Sequence, residues 1–118
     1  MNLEFNVIAI IDSNCKNILM CKRRKNPYKG LYNFVGGKIE KGEDGLSAAY
    51  RELQEETSIS KSDVVLTHFM DLNYHLSNIK LEVYVGLLNK EVRLHGDENE
   101  LIWMDINENF FDTSKFAG

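Results

Sequence analysis

Short apolar runs alternate with polar breaks along this chain, and one stretch replaces that rhythm with a helical one. Residues 7–11 and 18–22 are apolar and β-branched enough for strands, and Asp12, Ser13 and Asn14 between them predict a hairpin. Residues 26–30 read as a loop around Pro27, and residues 31–35 as a short strand running into Gly36-Gly37. After a break at residues 42–45, Leu46, Ala49, Tyr50 and Leu53 recur three and four apart. That spacing predicts a helix over residues 46–57, anchored to a core by those four side chains. Residues 64–75 and 79–88 read as two long strands joined by Leu76, Ser77 and Asn78, and residues 101–105 as a further short strand. The pattern predicts an α+β fold, a mixed sheet with helical cover, in a single domain over residues 1–118. Residues 107–118 show no amphipathic helical pattern, so one sheet face is expected to lack cover. Either a C-terminal helix is missing from the chain as given, or a second chain supplies it. Monomer and homodimer both stay open.

Composition narrows the class. At 118 residues and 43% hydrophobic content the chain supports one core. Its net charge of −4 argues against general nucleic-acid or anionic-membrane binding. The basic run Lys22-Arg23-Arg24-Lys25 by itself reads as a solvated hairpin tip. Cys15 and Cys21 have no CxxC spacing and read as reduced thiols. The apolar run at residues 7–11 is too brief for a signal peptide or a membrane span, so a cytoplasmic protein is expected. His68, His75 and His95 are scattered without ligand spacing, and Trp103 reads as a core residue.

The chemistry concentrates in the helix. Glu52, Glu55 and Glu56 fall within an arc of roughly 100° when each residue turns about 100°. Like charges at that spacing repel unless a cation offsets them. Ala48, on the same arc one turn earlier, is expected to leave the patch open. The simplest purpose of such a patch is to hold a hard divalent cation through oxygen ligands.

In full, the segment is Gly37, five residues, Glu43, seven residues, then Arg51-Glu52-Leu53-Gln54-Glu55-Glu56-Thr57-Ser58-Ile59. This resembles the signature box of the Nudix hydrolases, which cleave a nucleoside diphosphate linked to another group. Without Gly37 and Glu43 in register, the glutamate string would read as a solvated helix face. One position departs: the family has glycine where this chain has Ser58, and a side chain in the left-handed helix-closing conformation costs about 1 kcal/mol. The resemblance implies a mixed sheet between helices, an α/β/α sandwich. It also implies Mg²⁺ as cofactor, with Mn²⁺ as its substitute. Glu52, Glu55, Glu56 and the main-chain carbonyl of Gly36 become metal ligands. Arg51 becomes the partner that orients Glu52, Lys38 meets a phosphate, and Glu43 braces the loop. The general base stays open between a box glutamate (Glu52 or Glu55) and a later residue, Glu98 first and Glu100 second.

The stretch Tyr32-Asn33-Phe34-Val35-Gly36-Gly37-Lys38 is similar to the branch that sanitises oxidised purine nucleotides. That implies base contact by Asn33 and by Arg23, and an amide suits a purine edge because it both donates and accepts. Asn33 reads equally well as a turn or strand-end residue. The resemblance thus implies a nucleotide partner: a nucleoside triphosphate such as 8-oxo-dGTP, cut to the monophosphate and pyrophosphate. ADP-ribose, dinucleoside polyphosphates, nucleotide sugars and capped RNA ends stay open, because the box reports the diphosphate and not the group attached to it. A non-catalytic nucleotide-sensing domain is the alternative of a different class.

Overall fold

The computed structural model describes residues 3–96 and 99–117. Strands β1 (Leu3–Ile11) and β2 (Asn17–Lys22) meet antiparallel at Ile11 and Ile18. Asp12 closes their turn: Oδ1 accepts from the main-chain N–H of Lys16 at 2.9 Å and of Asn17 at 3.1 Å. There follow β3 (Tyr32–Asn33), α1 (Gly45–Thr57), β4 (Val64–Tyr74), β5 (Ile79–Leu88) and β6 (Glu100–Asp105). Strand β5 runs parallel to β1 from Leu3↔Ile79 to Ile11↔Leu87 and antiparallel to β4, while β6 pairs antiparallel with all of β2. A parallel pair needs a long crossover, and α1 lies in the segment between β1 and β5.

Two strands differ from the sequence pattern by more than one residue at an end. Strand β1 starts at Leu3 because the alternation of Glu4 and Asn6 with apolar neighbours is itself strand-like. Strand β3 is only two residues long because the chain then leaves β2 and bridges to β1 at Ile8↔Val35 and Phe5↔Lys38.

On the helix side of the sheet, Ile8, Ile10, Leu19, Val35, Leu53 and Tyr84 form the main core. Leu46, expected to anchor the helix, is 40% exposed; Ala48, Ala49, Leu53 and Thr57 are the buried positions instead. On the other face Ile18, Met20, Met104 and Phe116 form a smaller cluster. Among the described residues α1 is the one helix, so the second helical layer of a sandwich is not seen. Turns in residues 107–117 bring Phe110 and Phe116 over part of that face. They tie to β3 through Tyr32 N–H to the Lys115 carbonyl and Ala117 N–H to the Tyr32 carbonyl, 2.9 Å each. Val65, Phe69 and Leu87, on the β4–β5 side, stay exposed, which is the uncovered strip that the pattern predicts. No helix is long and apolar enough to cross a membrane among the described residues.

Both ends of α1 are capped. Asp44 accepts from the Ser47 N–H at 3.2 Å. Ser58 is left-handed at φ 69° and donates its N–H to the Gln54 carbonyl at 3.0 Å. Its hydroxyl donates to the His95 carbonyl at 3.1 Å, and the His95 N–H returns a bond to the Thr57 carbonyl at 3.0 Å. The serine thus offsets its backbone cost with a bond that glycine could not make. Ser58→Ala keeps the strain and loses the bond, so it should lower unfolding stability by about 1 kcal/mol. Ser58→Gly loses both and should stay close to wild type; urea midpoints of the two variants check this.

Burial separates the two thiols. Cys15 is exposed, whereas Cys21 is 4% exposed. Burial first, then the nearby Glu56 charge, pushes the Cys21 thiol up to about 11. The native state therefore favours the neutral thiol. Its stabilising effect is complete below the ordinary thiol range and is lost as pH rises toward 11. At pH 8 a thiol reagent should modify Cys15 quickly and Cys21 only on unfolding, read as one fast equivalent followed by a second in denaturant.

Candidate active site

The site is built where a glycine loop is caught between a strand and a helix. Asn6, like Ile8 and Ile10 two and four residues on, points to the helix side of β1 and is only 3% exposed. It grips Gly37 twice, its Oδ1 accepting from the Gly37 N–H at 2.9 Å and its own N–H donating to the Gly37 carbonyl at 2.8 Å. A Cβ at Gly36, where φ is 152°, would run into the Asn6 carbonyl. At Gly37 a Cβ would stand 2.6 Å from the Glu52 carboxyl carbon. On the same loop the Gly36 N–H donates to Glu56 Oε2 at 3.4 Å. The approach from both sides leaves no room for a side chain at either position.

Arg51 organises the acidic residues. Its Nε and Nη2 grip Glu43 at 2.7 and 2.9 Å, a two-pronged pairing. Nη1 donates to Glu52 at 3.1 Å and to Glu55 at 3.3 Å. The guanidinium hydrogen bond holds the Glu43 carboxyl below the usual carboxylate range. Glu52 goes the other way: burial raises it most, Glu55 and Glu43 add to the rise, and Arg51 opposes it.

The carboxylate arc is neither uniform nor open. Ala48 is fully buried, so the line Ala48–Glu52–Glu56 starts against the molecule, and its two partly buried glutamates meet the loop. The side chain of Glu52 is 14% exposed, while that of Glu55, on the outer edge of the arc, is 59% exposed. Glu52 and Glu56 therefore meet the glycines, and Glu55 forms the rim. The donor set is all oxygen, net negative, and set against a cradle that a Cβ would fill, which fits a hard divalent cation. Glu52, Glu56, Glu55 and the Gly36 carbonyl are the groups that could hold it.

Among the described residues, the group whose ligand atoms lie within 4.8 Å of one another is a different one, His68, Asp71 and Glu82. His68 Nε2 meets Asp71 Oδ1 at 2.6 Å, its ring stacks on Tyr84, and Tyr84 donates to Glu82 at 2.6 Å. Lys80 lies 3.9 Å from Asp71 and 3.8 Å from Glu82, so a cation already faces both carboxylates.

The other residues singled out in the sequence surround the loop. Lys38 is exposed, and its carbonyl accepts from Arg51 Nη2 at 3.5 Å. Asn33 Oδ1 accepts from the Cys21 thiol at 2.8 Å. Arg23 Nε donates to the Pro27 carbonyl at 2.7 Å, bracing its own loop. Glu98 lies outside the described residues. Glu100 opens β6 opposite Lys22 and is exposed. Sequence reasoning passed over Asn6 and the pairing of Cys21 with Asn33. The first carried a signal, one polar side chain among the inward positions 6, 8 and 10; the second is a contact between strands that no local spacing encodes.

The NUDIX domain family model matches residues 2–117. The chain is 38% identical over 60 residues to an RNA pyrophosphohydrolase of Pelagibacter ubique (strain HTCC1062), covering 51% of this chain and 38% of that protein. It is 31% identical over 106 residues to an ADP-ribose pyrophosphatase of Methanocaldococcus jannaschii, covering 86% and 61% respectively. The chain thus spans between 38% and 61% of the length of these two curated relatives. Among solved structures, a MutT/nudix family protein from Enterococcus faecalis superposes with a TM-score of 0.76 at 17% identity, over 92% of this chain and 46% of that one, a likeness of fold. A family match over nearly the whole length, with the motif's glutamates gathered on its glycine loop, means that the chain belongs to the NUDIX domain family.

Proposed function

We propose that this Nudix domain is a Mg²⁺-dependent pyrophosphohydrolase, active with Mn²⁺ as substitute, that cuts a nucleoside triphosphate to the monophosphate and pyrophosphate. The supporting observation is the loop contact with both carboxylates, Gly37 against Glu52 and Gly36 N–H on Glu56. A bound divalent ion neutralises phosphate oxygens and lowers the pKa of the attacking water. Glu52, Glu56, Glu55 and the Gly36 carbonyl would hold it. Arg51, locked by Glu43, keeps Glu52 in place, and Lys38 on the exposed side of the loop meets a phosphate. The proton acceptor is drawn from Glu52, Glu55 and Glu98.

The substrate side rests on Tyr32-Asn33 and Arg23. With the Cys21 thiol donating to its Oδ1, the Asn33 amide nitrogen is left to donate to an acceptor on a purine edge. An oxidised purine nucleotide such as 8-oxo-dGTP is the reading this favours. The likeness to an ADP-ribose pyrophosphatase over 86% of the chain favours ADP-ribose as the second reading.

Pyrophosphate release from a panel of nucleoside triphosphates and 5′-triphosphorylated RNA, and formation of AMP and ribose 5-phosphate from ADP-ribose, each with and without Mg²⁺, tests both. Turnover of a triphosphate to pyrophosphate, abolished by chelation, is the expected result; release from no member would shift the reading to a nucleotide sensor. Glu56→Gln should cut turnover by orders of magnitude with an unchanged circular dichroism spectrum. Near-normal turnover in that variant would rule out Glu56 as a metal ligand.

A further inference from the structure

Asn6 makes an exchange that no regular sheet makes. The bridges Ile8↔Val35 and Phe5↔Lys38 share one antiparallel register, which sets Asn6 opposite Gly37 as a pair that should exchange both main-chain bonds. One is present, from Asn6 N–H to the Gly37 carbonyl at 2.8 Å. In place of the other, the Gly37 N–H turns to the Asn6 side chain, 2.9 Å from Oδ1. A main-chain N–H can only donate, so the side-chain oxygen must face it and the amide orientation is fixed. The amide's Nδ2 is then left buried without a hydrogen-bond partner. An orphan of that kind costs stability and calls for a reason.

The reason lies in the peptide that this bond holds. The Gly37 N–H and the Gly36 carbonyl belong to one planar trans unit and point in opposite directions. Fixing the N–H on Asn6 turns the Gly36 carbonyl away from β1. The two residues flanking that carbonyl are those that meet the acids, Gly36 through its N–H on Glu56 and Gly37 against Glu52.

We infer that Asn6 is a positioning residue of the metal site: its side-chain oxygen sets the Gly36–Gly37 peptide so that the Gly36 carbonyl is presented as a cation ligand. This rests on the metal-dependent reading given above. It adds a residue that lies outside the signature box and acts only through the loop. Loss of an outer partner of this type weakens metal binding by about 10- to 100-fold.

The test is Mn²⁺ binding to the nucleotide-free protein, followed by the electron paramagnetic resonance of the free ion. Asn6→Val removes the acceptor and should weaken Mn²⁺ binding about tenfold or more while the metal-free thermal transition is retained. Asn6→Asp keeps an oxygen facing Gly37 and should bind Mn²⁺ at least as well as wild type. Exchange of the Gly37 amide with deuterium should quicken in Asn6→Val and stay slow in Asn6→Asp. Wild-type affinity in Asn6→Val, while Glu56→Gln loses binding, would overturn the role of Asn6 alone. Absence of Mn²⁺ binding in wild type would overturn it together with the metal-dependent reading. Should Asn6→Val fail to fold, a tenfold loss of affinity in Asn6→Asp overturns the inference on its own.

Discussion

One guanidinium holds the acidic cluster in shape. Four glutamates crowd the loop and the helix, and the charge of Arg51 is shared among Glu43, Glu52 and Glu55, while Glu56 reaches the Gly36 N–H. Arg51 is about a third exposed, so its pairings are screened and their worth to stability is modest. Their worth is geometric: the fork on Glu43 leaves Nη1 aimed at the next two carboxylates. Among the described residues, the Arg51 charge is spread over three carboxylates, which fixes their positions without neutralising them. What remains is negative charge on oxygens already held in place, a condition under which a cation from solution binds without first having to assemble its ligands.

The sheet supplies the opposing wall. The chain leaves β3 after two residues and bridges to β1, and the register of those bridges carries Gly36 and Gly37 onto Asn6. From the helix, the line Ala48–Glu52–Glu56, buried at Ala48, brings its two glutamates to the same loop. A larger residue at 48 would push that line outward, so the smallness of Ala48 serves the site as much as the packing. The Ser58–His95 bond performs a related task at the far end, joining the helix C-terminus to the segment that holds Gly96. There a Cβ on Gly96 would come 2.5 Å from the Glu56 carbonyl. The helix is thus fixed at its start by Asp44, along its side by the loop, and at its end by this segment.

Much of this was legible in the chain. Strand β5 matches its predicted span, and α1 begins one residue earlier than its spacing implies, because local periodicity records which face is buried. The acidic constellation was legible for the same reason, as three glutamates on one helical arc. Periodicity does not say what meets each part of an arc. Leu46 is expected inside and Ala48 on an open patch, and the two environments are reversed. The cover supplied by Phe110 and Phe116 was equally hidden, because turns placed by contacts with β3 carry no repeat. Asn6 belongs with these: its polarity was visible, but its task depends on a register thirty-one residues away.

The arrangement also separates two tasks. The groups proposed to meet a diphosphate and its cation lie on α1 and the Gly36–Gly37 loop, fixed by β1. The groups proposed to meet what is attached to the diphosphate lie on β2 and β3, where Cys21 meets Asn33 and Phe116 packs on Tyr32 with ring centroids 6.2 Å apart. The second set depends on residues 107–117 for its backing, through the bonds between Tyr32 and that segment. The two sets are not electrically separate, because after burial the Glu56 charge is what raises the Cys21 thiol. On the proposed reading, Cys21, Asn33 and the turns that back them would choose the nucleotide, and the glutamates would hold the cation.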